Sequence, residues 1–160
     1  MTSKKKYNNW GLKNFWCICN KYNLWENRIN TYHCNQHLFD PYSFCHMEWG
    51  AIQYLLLKKY GYRVNLLFHF IWEIIENCPY VINHFRSTPE SREYEGDSIA
   101  NAIGDLLSFS IGYLSMKNTH QPQQKLVIIL LLELIPYLLI KQNTFILVKS
   151  TLSTALKIEG

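Results

Sequence analysis

Three stripes of polar residues lie within the apolar part of this sequence. On a helix, residues three, four, seven or eight positions apart share one face. The chain offers His46, Gly50 and Gln53, then His69, Glu73 and Glu76, then Asp97, Asn101 and Asp105. Burying ionisable groups among apolar side chains costs free energy, so such stripes usually serve a polar function. If the three helices face inward, the stripes would meet at one polar site.

The residue types in these stripes suit acid–base chemistry or the binding of a cation. A histidine or carboxylate such as His46 or Glu73 can act as acid or base, and Arg86 can hold a phosphate or carboxylate bidentately. A divalent metal is the candidate cofactor, although none of the spacings is a specific metal signature. The predicted site residues are Asp40, His46, Glu73, Glu76, Arg86, Asp97, Asn101 and Asp105.

Two other interpretations of the stripes remain open. They would form a hydrogen-bonded network that only packs membrane helices together, in a protein without enzymatic activity. Alternatively, they would be the solvated faces of amphipathic helices in a soluble bundle. The sequence does not decide whether the protein is an enzyme.

A second group of ligand-type residues lies near the N-terminus. Cys17 and Cys19 are followed by His33, Cys34 and His37, and both residue types bind zinc. Because Cys17-x-Cys19 differs from the C-x-x-C spacing of common zinc sites, we interpret these residues first as ordinary cysteines. Cys17, Cys19 and His37 are the candidates for a metal site. The five cysteines are odd in number and lack the spacing of a disulfide framework, so no disulfide is predicted.

The composition favours a membrane protein of a single domain. The chain has 160 residues, of which 48% are hydrophobic, yet its mean hydropathy is only −0.14. The apolar residues concentrate after Tyr42, so a polar segment at residues 1–40 lowers the average. The net charge of +4 is not gathered on one basic face, and we therefore expect no nucleic acid partner.

Four segments are candidates for membrane spans, each of which requires about 20 mostly apolar residues. They are residues 42–57, 64–82, 98–116 and 126–140, with residues 144–156 as a partial span or interfacial helix. Small residues in the third segment, including Gly104 and Gly112, would allow close helix packing. The sequence thus predicts an all-α, polytopic transmembrane bundle of about four helices at residues 41–160.

The charges of the connections predict an orientation. Residues 58–63 and 117–125 are basic and contain no acids, whereas residues 86–97 are rich in acids. By the positive-inside rule, the acidic connection lies on the outer side, which places the polar site near the outer interface. Four spans would also place Lys4, Lys5 and Lys6 outside, against the same rule.

Two blocks carry a family resemblance: W-E-I-I-E-N-C-P at residues 72–79 and Y-E-G-D-S-I-A-N at residues 94–101. They resemble an uncharacterised family of small, mainly bacterial integral membrane proteins, known only as a domain of unknown function of the UPF type. More distantly, the chain is similar to the VanZ-like membrane proteins. The family pattern that the resemblance implies overlaps the stripes, and it also falls on Asn77, Pro79 and Tyr94. The resemblance also implies an additional transmembrane helix at the start of the chain. Residues 1–40 are polar, and we find no counterpart of that helix in them.

Together these patterns predict an uncharacterised multi-pass membrane protein with an internal polar site. The site would bind or act on an envelope lipid or another phosphate-bearing substrate, and membrane lipid is the expected partner. Protein partners are left open.

Overall fold

The protein is all-helical in the part of the chain that the computed structural model describes, residues 8–19, 21–87 and 91–149. The helices are α1 (Ser43–Leu57), α2 (Gly61–Glu76), α3 (Pro79–Phe85), α4 (Ile99–Asn118) and α5 (Pro122–Ile140), and a 3-10 turn at Lys58–Tyr60 separates α1 from α2. Residues 144–149 are also helical. The described residues contain no strand, only one isolated bridge between Trp25 and Phe39. The predicted all-α class is confirmed.

The segment predicted as a single helix over residues 64–82 is instead broken in two. α2 ends at Glu76, and α3 begins at Pro79. Proline has no backbone N–H to donate within a helix and suits the first helical position, where that donor is not needed. The remaining predicted helices agree with the structure to within a few residues.

Among the residues that the structure describes, two helices are long and apolar enough to cross a membrane, α4 and α5. About half of α4 is buried inside the protein, whereas α5 is mostly exposed. α1 has 15 residues and α2 has 16, fewer than the roughly 20 that a span requires. The expectation of about four spans is therefore not confirmed among the described residues. The proposed partial span at residues 144–156 lies mostly outside them.

The chain forms two compact units, and each is described by itself. Unit 1 comprises residues 1–40 and 66–107, and unit 2 comprises residues 41–65 and 108–160. In unit 2, α1 packs against α5. Glycines also bring α1 close to the second half of α4, because a Cβ on Gly50 would collide with the carbonyl of Phe109, and one on Gly112 with that of Met47.

In unit 1, an irregular N-terminal segment is bonded to the start of α4. The backbone N–H of Leu12 donates to the carbonyl of Asp97, and those of Ile99 and Ala100 donate to Asn14 and Phe15. The hydroxyl of Ser98 accepts the N–H of Asn101 at 3.0 Å, the usual helix N-cap bond. These contacts satisfy amides that the first turn of a helix leaves without partners.

The helices bury their polar residues and expose apolar ones, the reverse of a water-soluble helix. Asn65, His69 and Glu73 in α2 are at most 2% exposed. Large apolar side chains cover the outer surfaces of the helices, among them Leu67, Phe68, Phe70 and Ile71 of α2, Ile103, Leu107 and Ile111 of α4, and Leu126, Val127, Leu130 and Leu131 of α5. Such surfaces are stable in contact with an apolar environment.

Candidate functional site

A buried set of hydrogen bonds around Asp97, here called the Asp97 network, lies in unit 1. The Asn77 amide donates to Asp97 Oδ2 at 2.6 Å, and its carbonyl oxygen accepts the Asp97 N–H at 2.7 Å. The Tyr94 hydroxyl donates to Asp97 Oδ1 at 2.9 Å. All three residues are at most 3% exposed. Burial and the Asp97 carboxylate raise the pKa of Tyr94 well above its usual value, so the phenol keeps its proton as the donor.

Asn101 connects α4 with the segment that precedes α1. Its amide donates to the carbonyl of His37 at 2.9 Å and to Asp40 Oδ2 at 3.3 Å. In the same region, the Ser98 N–H donates to the Asn35 carbonyl at 3.0 Å. Gly104, one turn of α4 further on, lies against the carbonyl of Leu38, where a Cβ would collide. The close approach predicted from small residues in this helix thus occurs.

His69 and Glu73 form an acid–base pair on α2. His69 Nε2 lies 3.2 Å from Glu73 Oε1, one helical turn away, and both side chains are almost fully buried. The Asn77 amide of the Asp97 network also donates to the backbone carbonyl of Glu73 at 2.9 Å, so the network is bonded to the main chain of α2 at the same residue. Imidazole and carboxylate at this separation can exchange a proton with a bound group.

Arg86 is bonded to the other end of the same network. Its Nη1 donates to the Tyr94 carbonyl at 2.7 Å. The residue is half-buried at the end of α3. A guanidinium has five N–H donors in a planar arrangement, a geometry that suits bidentate contact with an anion.

The N-terminal cysteines and histidines also meet in unit 1. One ligand atom from each of Cys17, Cys19, His33 and His37 lies within 4.8 Å of the other three, and this group is called the Cys/His cluster. Cys17 Sγ is 3.3 Å from His33 Nδ1, and the rings of His33 and His37 are stacked with centroids 5.8 Å apart. Cys34 is not in the cluster; its thiol donates to Asn35 Oδ1 at 2.9 Å.

The carboxylate of Glu26 lies next to His37 of the cluster. Glu26 Oε2 is 3.9 Å from His37 Nε2, and Arg28 holds Glu26 through bonds of 2.8 and 2.6 Å. Those bonds lower the pKa of Glu26 to about 2. Burial lowers the pKa of both His33 and His37, which favours neutral imidazoles, and raises the pKa of the Cys17 thiol to about 11.

The structure brings most of the predicted site residues into unit 1. Asp40 and Asn101 are bonded to each other. Asn77 bonds both Asp97 and the main chain of Glu73, and Tyr94 bonds Asp97 through its hydroxyl and Arg86 through its backbone carbonyl. Glu76 and Asp105 are buried on α2 and α4. His46 belongs to unit 2, where it is buried in α1.

Three contributors were not among the predicted site residues: Asn77, Tyr94 and His33. Asn77 and Tyr94 belong to the family pattern, so the resemblance contained a signal for both. His33 and His37 have the H-x-x-x-H spacing of many zinc sites, and the expectation that these residues fit no zinc-site pattern is therefore wrong for the two histidines.

The chain is similar to several proteins that are named only as UPF0314 proteins. A UPF0314 protein of Sinorhizobium fredii is 39% identical over 106 residues, which cover 61% of this chain and 54% of the relative. A UPF0314 protein of Rhizobium meliloti is 36% identical, and one of Paracoccus denitrificans is 29% identical, each over 106 residues and 61% of this chain, covering 54% and 55% of the relative. The chain spans about half the length of these curated relatives.

No solved structure matches the chain. The similarity to VanZ-like proteins stays a prediction. Residues 10–155 match the family described as protein of unknown function (DUF2585). The chain therefore belongs to the DUF2585 family.

Proposed function

We propose that this protein inserts into a membrane and uses the polar interior of unit 1 to bind or act on a phosphate-bearing group, such as the headgroup of an envelope lipid. The observation that carries the proposal is the reversed distribution of side chains, with His69 and Glu73 buried and large apolar residues outside. In water, this arrangement would expose apolar surface without a compensating gain. In lipid, the exposed residues of α4 and α5 contact hydrocarbon.

The chemistry of unit 1 supports the second half of the proposal. Arg86 is the cationic group for a phosphate, and the His69–Glu73 pair is the proton donor or acceptor. The carboxylates of Asp40, Glu76, Asp97 and Asp105 are buried in the same unit. A divalent cation would offset their repulsion of a phosphate, which makes it the candidate cofactor.

Membrane insertion is tested by extracting membranes that contain the full chain with alkaline carbonate. We expect the protein to remain in the pellet and to require detergent for release. Recovery in the carbonate supernatant would contradict insertion and favour a soluble helical protein.

The site is tested by the phospholipid that co-purifies with the protein in detergent, measured as lipid phosphorus per chain. We expect Glu73→Gln and Arg86→Gln to lower this ratio severalfold. Glu95→Gln and Arg92→Gln, at exposed positions of the connection before α4, are the matched controls and should leave it unchanged. A ratio equal to the controls in both site variants would refute the site.

A non-enzymatic packing role is the second candidate, favoured by the reciprocal bonding of Asn77 and Asp97. In that case the site variants would lower thermal stability without changing the lipid ratio. Measuring both quantities on the same samples separates the two candidates.

A further inference from the structure

We infer that Cys17, Cys19, His33 and His37 form a four-ligand zinc site. This inference is independent of the proposed function, since it concerns other residues and another ligand. It rests on the geometry of the four side chains, on the burial of His37, and on the construction of the segment that the site would hold together.

The geometry is close to that of a loaded site. Tetrahedral zinc with two sulfur and two nitrogen ligands places the ligand atoms about 3.3–3.8 Å apart. Cys17 Sγ and His33 Nδ1 are already at 3.3 Å, and no pair in the cluster is farther apart than 4.8 Å. Movements of about 1 Å within side chains therefore complete the site.

His37 provides the second observation. It is 1% exposed, and neither of its ring nitrogens has a hydrogen-bond partner. Buried polar atoms are almost always bonded, because leaving one unsatisfied costs free energy. Zinc takes up the lone pair of a neutral imidazole and removes that cost.

The types of the four ligand atoms and the charge of the two thiolates favour zinc. Two thiolates with two imidazoles in a tetrahedral arrangement are typical of structural zinc sites. Binding releases two thiol protons to solvent, and the two thiolates then neutralise Zn²⁺. Because the four ligands come from the chain, the site is closed and structural rather than catalytic.

The residues next to the cluster are suited to hold a metal-bound histidine in place. Metal-bound histidines commonly donate their other ring N–H to a carboxylate, which fixes the ring. Glu26 is placed for this role beside His37 Nε2, and Arg28 holds it there. Cys19 is only partly buried, which leaves a path for the metal to enter.

Zinc would also explain how an irregular segment keeps its structure. The described residues between 8 and 42 contain no helix, and apolar side chains such as Trp10, Phe15 and Leu24 are exposed. Without a core of its own, such a segment needs another stabilising element. The site would join residues 17–19 to residues 33–37, whose carbonyls at Asn35 and His37 bond Ser98 and Asn101.

The test uses the full chain, purified in detergent with a reductant, stripped of metal and titrated with Co²⁺. We expect one Co²⁺ per chain, a thiolate-to-cobalt charge-transfer band, and strong visible bands of a tetrahedral ion. Zn²⁺ should abolish these bands at one equivalent. Cys19→Ser should weaken the charge-transfer band by about half and lower the affinity at least ~100-fold.

Matched controls use residues outside the cluster. Cys78→Ser and His120→Gln should bind Co²⁺ as the wild type does. His37→Gln is a second test variant, which removes one ligand atom. If it fails to fold, His37→Cys keeps a donor at this position and should bind Co²⁺ with a stronger charge-transfer band. The inference is overturned if the wild type shows no thiolate-to-cobalt band, or if Cys19→Ser and His37→Cys both give the wild-type spectrum.

Discussion

The Asp97 network and the Cys/His cluster are two buried polar regions of unit 1. They differ in how fully their buried polar atoms are hydrogen-bonded. In the network, Asp97 accepts from Asn77 and Tyr94, and Asn77 both donates and accepts. In the cluster, His37 is equally buried, yet both ring nitrogens are without a hydrogen bond. Both regions connect residues far apart in sequence.

The difference indicates two kinds of stabilisation. Groups that satisfy one another stabilise the fold with protein atoms alone, and losing one member leaves the others buried without partners. A set of ligand atoms that includes ring nitrogens without hydrogen bonds, as in His37, becomes stabilising when a metal binds. The network should therefore respond to mutation, and the cluster to metal concentration.

The largest expected effect is that of Asp97→Ala. The substitution leaves one N–H of the Asn77 amide and the Tyr94 hydroxyl buried without the acceptor that Asp97 provides, so the free energy of unfolding should fall by about 3–4 kcal/mol. Chemical denaturation in detergent measures it, with Glu95→Ala as the exposed control. A loss no greater than that of the control would show that the network does not hold unit 1 together.

Removing zinc is expected to have the next largest effect. At a free zinc concentration 100 times the dissociation constant, the metal contributes about 2.7 kcal/mol, which a chelator should remove. Thermal unfolding with and without chelator measures this contribution. Asp97→Ala should keep the chelator response, because the two regions stabilise the protein by different means. An unchanged melting temperature in wild type would contradict a stabilising metal.

Tyr94→Phe should have a smaller effect on the network. It removes one hydrogen bond to a carboxylate and should cost about 1.5–2 kcal/mol. Because the pKa of Tyr94 is raised in the folded state, the unfolded chain loses this proton first as the pH rises above about 10, and wild-type stability then falls. The variant should lose less stability than wild type between neutral and strongly alkaline pH. Parallel pH curves would contradict the shifted pKa.

Glu26→Gln should have the smallest effect of the four. It keeps the shape of the side chain but removes the carboxylate behind His37, so zinc affinity should fall about tenfold. Competition with a chelating dye measures the affinity, and the apo protein should keep its helical circular dichroism. Glu93→Gln, at an exposed position, is the control. Equal zinc affinities in both variants would show that the Glu26 carboxylate does not support zinc binding.

The sequence predicted the helices well where the signal is local. α4 and α5 follow from long apolar segments, and the residues of the polar stripes on α2 and at the start of α4 are buried, although Asp97 precedes the first residue of α4. The second predicted segment extended past Pro79, a residue at which a kink or stop is tolerated, whereas the structure begins a new helix at that proline.

The candidate site was predictable only in part. Glu73, Asp97 and Asn101 were identified from helical spacing, which depends on residues within two turns. The pairing of Asn77 with Asp97 and of Asn101 with Asp40 depends on how the chain returns to itself, and periodicity contains no information on such contacts.

The sequence by itself determined the helical class, the apolar surfaces and the inventory of acids, histidines and cysteines, because these follow from composition and from the 3.6-residue period. Only the tertiary structure decided which of these groups meet. Cys17 and Cys19 reach His33 and His37 through an irregular segment, whose course is set by long-range bonds to the start of α4 rather than by its own residues.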